Sequence, residues 1–208
     1  MKKIVFVTLM MADNMQKRHF PVDGNSFIEY PGELYYAINA VLARTMKKDD
    51  EVKILLLETR AGENAGSKNA QLFMNELNEI NHNNIGAKIT YEVIPSEFLT
   101  SKKGLNDIYL KLIKNIESEV ELSADITFGP KSLPLLIFSA MQFGEKFFDC
   151  IIGNVIYMKA EFKNNAIVEG TQLICDYTPL YMLSSFTNTI ECTNGEKAIA
   201  SVEALLKD

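Results

Sequence analysis

Gly129-Pro130-Lys131-Ser132 is the stretch of this sequence best suited to chemistry. Gly129 allows close backbone approach, a helix starting at Ser132 would present unpaired N–H groups with partial positive charge, and Lys131 adds a full one. Those are the requirements of an anion site, phosphate above all. The same residues also make an ordinary tight turn with a solvated lysine, so their types alone leave both uses open. Arg60, in the polar run Glu58 to Asn64, is a second cation that could reach a phosphate, and a surface salt bridge to Glu58 or Glu63 is its competing use.

The elements on either side must position that turn. Leu122, Ala124, Ile126 and Phe128 alternate with Ser123, Asp125 and Thr127, the period of a strand, and Gly129-Pro130 stops it. Ser132 is placed to cap a helix, Pro134 suits its first turn, and Leu133 to Phe143 is apolar nearly all round, as in a helix buried against a sheet. The turn therefore sits at the carboxyl end of a central strand, the edge of an open α/β sheet where ligands bind.

The rest of the chain supplies such a sheet. Ile4 to Leu9 reads as a first strand buried on both faces, and Met11 to Gly32 follows as a long irregular segment leaving at the same edge as Gly129. Asn14, Lys17, Arg18 and His19 put donors there, and Phe20, Phe27 and Tyr30 offer faces for base stacking; a plain surface insertion has the same composition. Glu33 to Met46 has a helical stripe of Leu34, Ile38, Val41 and Leu42, Val52 to Leu57 is a second buried strand, and Leu72, Phe73, Leu77 and Ile80 mark the next helix. That helix ends at Asn83-Asn84-Ile85-Gly86, suited to a left-handed cap, with His82 placed to interact with the helix dipole. Ile89 to Ile94, bounded by Pro95, is a strand, and Leu105, Ile108, Tyr109, Leu112, Ile113 and Ile116 give the clearest helical period.

Beyond the central strand, Asp149 to Met158 reads as a strand interrupted by Gly153, and Glu161 to Gly170 as a polar connection turning at Asn164-Asn165. Gln172 to Cys175 follows as an antiparallel strand; Asp176 and Thr178 either face the ligand edge or, more economically, cap a helix begun by Thr178-Pro179; and Ala198 to Leu206 closes the chain as an amphipathic helix whose stripe is either core or a dimer contact, core ranking first. The expected fold is α/β: a doubly wound, Rossmann-like, mostly parallel sheet of about six strands with helices on both faces, residues 1–208 forming one domain.

Composition narrows the function. At 208 residues and 47% hydrophobic the chain can bury a full core. A net charge of −6 argues against non-specific binding to a nucleic-acid backbone, while a local basic pocket for a small anion remains compatible. Three cysteines without metal-ligand spacing and only two histidines argue against zinc. No run of about 18 apolar residues marks a membrane span and no signal pattern follows Lys2-Lys3, so a cytoplasmic protein is expected. Gly62 to Lys68 imitates a P-loop, but its glycines are one residue too close.

Asp125-Ile126-Thr127-Phe128-Gly129, followed by Pro130-Lys131-Ser132-Leu133-Pro134, resembles the DxTHG signature of CRISPR-associated Rossmann-fold (CARF) proteins, with Phe128 where the signature usually has histidine. The resemblance covers about Leu122 to Phe143 and is looser elsewhere. It implies a sensor of cyclic oligoadenylate in type III CRISPR antiviral defence, binding the ring across a homodimer, tetra-adenylate ahead of hexa-adenylate, and controlling an effector. It implies that Thr8, Leu9, Met10 and Met11 after the first strand, and Thr127, Phe128, Gly129, Pro130, Lys131 and Ser132, contact the ligand.

If the ring is also cleaved, a 2′-hydroxyl held in line with its phosphate needs no metal, and Lys131, Ser132 and nearby N–H groups would stabilise the developing charge. Without the signature imidazole, cleavage ranks below sensing. An effector domain usually follows such a domain, so the expectation is a stand-alone sensor or one whose effector is absent or removed. No cofactor, membrane contact or direct DNA binding is expected. The competing class, a nucleotide-dependent Rossmann-like enzyme, lacks its glycine cradle: Thr8-Leu9-Met10-Met11-Ala12-Asp13 stands where G-x-G-x-x-G belongs. A transcriptional regulator would need a helix-turn-helix with a basic face, and none follows the domain.

Overall fold

The computed structural model describes residues 1–9, 15–59, 67–96, 101–163 and 166–206. In chain order the elements are β1 (Lys2–Thr8), β2 (Val22–Asp23), α1 (Ala37–Thr45), β3 (Glu51–Thr59), α2 (Ser67–Asn84), β4 (Lys88–Ser96), α3 (Lys102–Lys114), β5 (Glu121–Asp125), α4 (Ser132–Phe148), β6 (Ile151–Lys159), β7 (Phe162–Lys163), β8 (Ala166–Ile167), β9 (Leu173–Asp176), α5 (Thr178–Thr189) and α6 (Gly195–Leu205). They form two compact units, Met1–Thr178 and Pro179–Asp208.

The first unit is an α/β fold around a seven-stranded sheet in the order β2-β9-β6-β5-β1-β3-β4. The five strands from β4 to β6 run parallel; β9 runs antiparallel to β6, and β2 pairs with β9. The chain builds outward from β1 through β3 to β4, then returns to β1's other side for β5 and β6. The strand order therefore reverses between β1 and β5, a Rossmann-like arrangement whose crevice lies at the carboxyl ends of those two strands.

Both faces of the sheet are covered, which is why β1 and β3 are apolar nearly throughout. Val5, Val7, Ile54 and Leu56 belong to the core beneath α1 and α2, which also takes Ile38, Val41, Phe73 and Leu77. On the other face α3 packs with α4. Gly144 of α4 lies so close to Leu122 of β5 that a Cβ there would come within 2.7 Å of Leu122 Cδ1.

Several boundaries differ from expectation. β5 ends at Asp125 rather than Phe128, because the Asp125 carboxylate turns back to Thr127. Ser132 does not cap α4: it is the first helical residue, Lys131 occupies the cap position, and no side chain caps the helix there. β4 continues through Pro95, which an edge strand tolerates because the missing N–H faces away from its one neighbour. Gly153 does not break β6; the register against β5 shifts between Leu122 and Ala124, and a Cβ at Gly153 would meet Ser123 Oγ at 2.4 Å.

The segment from Met15 to Gly32 is not structureless. Arg18 bridges Leu34, Phe20 and Ile28 enter the core, Val22–Asp23 extends the sheet and Ser26–Ile28 makes a 3-10 turn. α1 starts only at Ala37, because the chain ahead of it is held by Glu76 of α2. That buried carboxylate accepts the N–H groups of Tyr35 at 2.7 Å and Tyr36 at 3.2 Å and the Asn39 amide at 2.9 Å. Burial pushes the Glu76 carboxyl up, opposed by those three donors. The polar connection after β6 contains the β7–β8 hairpin, whose Asn164-Asn165 turn lies outside the described residues.

The second unit carries most of α5, and α6. The stripe of α6 expected in the core is exposed instead: the helix has no buried residue, and Ile199 and Leu206 are each 61% accessible. Asp176 does cap α5, accepting the Thr178 N–H at 2.9 Å, while the Thr178 hydroxyl accepts the Val155 N–H at 3.0 Å.

Candidate functional site

The carboxyl ends of β1 and β5 are stapled together by one side chain. Thr8, the last residue of β1, is fully buried; its hydroxyl donates to the Asp125 carbonyl at 3.0 Å and accepts the Phe128 N–H at 3.0 Å. The turn after β5 is thereby fixed at the reversal of strand order, where open sheets place their ligands.

Asp125 fixes the same turn from within. Its Oδ1 accepts the Thr127 N–H at 2.9 Å and the Thr127 hydroxyl, and that hydroxyl in turn accepts the Met158 N–H of β6 at 2.9 Å. One carboxylate oxygen thus ties β5, the turn and β6. Oδ2 is buried and has no hydrogen-bond partner. Burial pushes the Asp125 carboxyl up to about 6, against the lowering influence of the two Thr127 donors.

Gly129 then adopts φ +83°, a left-handed conformation that a side chain would strain. A Cβ there would sit 3.1 Å from Leu133 Cδ1 and 3.4 Å from Thr59 Oγ1, so the turn leans across β1 onto the end of β3. The Thr59 hydroxyl is buried against that of Ser96 at 3.2 Å, which continues the polar seam along the carboxyl edge to β4. Gly129 and Lys131 are exposed, Pro130 and Ser132 half-buried, and the Leu133 N–H closes onto the Pro130 carbonyl at 2.9 Å.

The structure therefore brings Thr8, Leu9, Thr127, Phe128, Gly129, Pro130, Lys131 and Ser132 to one edge, with Leu9 itself buried and joined through its N–H to the Leu57 carbonyl at 3.0 Å. Met10, Met11, Arg60 and Asn14 lie outside the described residues. Phe128, at the position where a histidine would be expected, packs its ring against the core under α1.

Of the other side chains expected to meet a ligand, Phe20 is core and Phe27 is 86% accessible. His19 is paired with Glu29 at 3.3 Å. Lys17 lies over the Tyr35 ring at 5.5 Å. Arg18 lines a pocket with Gln16, Tyr35, Phe128 and Met158 beside the turn. Sequence reasoning missed Tyr35 and Met158 here; only the return of residues 15–23 toward the far edge of the sheet brings them together.

No protein-family model matches the chain, and no curated protein matches it. Among the described residues, no helix is long and apolar enough to cross a membrane.

Proposed function

We propose that this protein is a CARF-type sensor of cyclic oligoadenylate in type III CRISPR antiviral defence, binding the ring, tetra-adenylate ahead of hexa-adenylate, across a homodimer and controlling an effector. The observation that carries the reading is the turn Gly129 to Ser132: it lies where the strand order reverses, is held by Thr8 and Asp125, and leads into an uncapped helix with Lys131 exposed beside it. A helix start and a lysine at that place suit a ribose-phosphate backbone. A two-fold pair of such turns suits a ring of even symmetry.

Binding ranks above cleavage. Phe128 cannot move a proton, and His19 lies off the Gly129 to Ser132 turn, its Nε2 3.3 Å from Glu29 Oε1. Attack by a 2′-hydroxyl would rest on Lys131, Ser132 and backbone N–H groups alone.

The test is a thermal-shift titration of the full chain with cyclic tri-, tetra- and hexa-adenylate, with linear oligoadenylate and NAD as controls, since a ligand bound by the folded state raises the melting temperature with concentration. A shift with one ring and not with the linear form supports the sensor and assigns the ring size. No shift with any ring well above micromolar overturns it, and a shift with NAD alone favours the nucleotide-dependent enzyme.

A further inference from the structure

We propose that the free edge of β4 is a docking site for the same strand of a second copy of this chain, the two strands pairing antiparallel about Thr90. The edges of the sheet are unlike: β2 is two residues long and β4 nine. Among the described residues β4 has one neighbour, β3, and all of its side chains except Ile94 and Ser96 are at least partly exposed. The Lys88 N–H donates to the Asp50 carbonyl, just ahead of β3, at 2.9 Å. Backbone groups alternate in direction along a strand, so Thr90 and Glu92 also turn theirs toward β3, while Ile89, Tyr91 and Val93 turn theirs outward. An edge of that length is a template for another strand.

Charge selects a second copy as the strand this edge takes. Lys88 and Glu92 are exposed, opposite in sign, on one face of β4 and symmetric about Thr90. Pairing about Thr90 therefore sets Lys88 of each copy opposite Glu92 of the other. Within one chain Lys88 Nζ lies 3.1 Å from Glu51 Oε1, and Lys53 Nζ lies 3.6 Å from Glu92 Oε2. The joined sheets thus carry an unbroken row of alternating charge: Glu51 and Lys88 of one copy, then Glu92 and Lys53 of the other. On the opposite face Ile89 meets Tyr91 of the second copy, a β-branched residue against an aromatic one. Those same residues turn their N–H and C=O groups outward, so each pair exchanges its backbone hydrogen bonds.

The alternative registers fail on the same residues. Centred on Glu92, the pairing opposes two carboxylates and sets Ile89 against Pro95, which has no N–H to give. Centred on Tyr91, it sets Lys88 against Ile94 and leaves that charge without a partner across the strands. Pro95 closes the carboxyl end of the edge, and Ala87 closes the amino end, because its N–H and carbonyl are both taken by the Asn81 side chain at 2.8 Å. Lys88 to Val93 stays open between them. In the order β5-β1-β3-β4 this edge lies away from the turn after β5, so the pairing does not rest on the ring-sensing reading.

The test is sedimentation velocity of the full chain, without any ring, for wild type, Lys88→Glu, Glu92→Lys and an equal mixture of the two variants. Circular dichroism confirms that each variant folds, as exposed side chains allow. Either substitution alone sets like charges opposite each other at both ends of the pairing. The mixture restores opposite charges, because one copy then carries acid at both positions and the other base. Wild type is expected to have about twice the mass of either variant, and the mixture to regain that mass. A second measurement fixes the register. Directly opposed residues whose backbone groups face away from each other lie about 4.5 Å apart at Cα, within the span of about 4.4–6.8 Å that a disulfide bridges. Thr90→Cys, made with Cys192→Ser because Cys192 is exposed, is expected to give a disulfide-linked dimer on oxidation with glutathione disulfide. Glu92→Cys in the same background should give at least about fivefold less. A wild type no heavier than the variants, a mixture that stays light, or equal cross-linking at the two positions overturns the pairing. Thermal shift with the ring is expected to be the same in wild type and both charge variants, so either reading can fail without the other.

Discussion

The hydroxyl of Thr8 accepts the N–H of Phe128 at 3.0 Å, joining two residues 120 positions apart at the ends of adjacent strands. The same hydroxyl donates to the Asp125 carbonyl. Thr8→Val keeps the shape and removes both bonds, leaving the partly buried Phe128 N–H without this partner. A loss of about 2 kcal/mol is expected in urea denaturation, with Thr8→Ser losing less than half as much. Equal stability of Thr8→Val and wild type would show that the staple contributes nothing.

Asp125 should make stability fall as pH rises. Its folded-state value of about 6 stands above the ordinary 3.8. The native state therefore holds the proton more tightly than the unfolded chain does. The associated stability is fully present below about pH 4 and is lost as pH rises through about 6. Asp125→Asn cannot titrate, so its stability relative to wild type should improve by about 2 kcal/mol between pH 4 and pH 7. Parallel stability curves for the two proteins across that interval would refute the assignment.

Gly129→Ala tests the turn itself. The substitution places a Cβ at φ +83° against Leu133, so the chain should lose about 1–2 kcal/mol. Gly24 has φ +78° with nothing within 4 Å of its Cβ position, so Gly24→Ala should cost only the conformational part. Comparing the two by thermal melting separates left-handed strain from crowding at the site.

Lys131→Ala should behave oppositely. The side chain is exposed, so stability should change by less than about 0.5 kcal/mol. Affinity for the ring should fall about tenfold, and the slope of log affinity against log salt should become shallower by about one. An unchanged salt slope would remove Lys131 from the phosphate contacts.

Glu76 tests what starts α1. Glu76→Ala leaves the N–H groups of Tyr35 and Tyr36 without this acceptor and the Asn39 amide with only its longer bond to the Phe73 carbonyl at 3.4 Å, and a loss of about 3 kcal/mol is expected by urea denaturation. Glu76→Gln retains one acceptor oxygen and should recover part of it. A Glu76→Ala protein as stable as wild type would mean that water replaces the carboxylate there.

The sequence made the parallel sheet and the turn after β5 legible because both are local: the apolar runs Ile4 to Val7 in β1 and Ile54 to Leu57 in β3, and Gly129-Pro130 behind an apolar strand. What escaped is non-local. β2 is two residues long and exists only because β9 pairs with it. The start of α1 is set by Glu76, some 40 residues away. Alternation placed Asp125 on a polar face, yet it is fully buried because both faces of the sheet are covered. The stripe of α6 has the right period for a core and is nonetheless exposed, since periodicity reports amphipathicity and not what lies opposite.

β2 also sets a timetable. Its partner residues, Ile174 and Cys175, follow Val22 and Asp23 by about 150 positions, so the edge pairing that anchors residues 15–23 must wait until nearly the whole first unit has been synthesised. The wall that faces Phe128 is thus among the last parts to settle during folding. A nascent chain stalled before β9 would hold the Thr8 staple and the Gly129 turn, whose bonds are complete by Met158, without that wall.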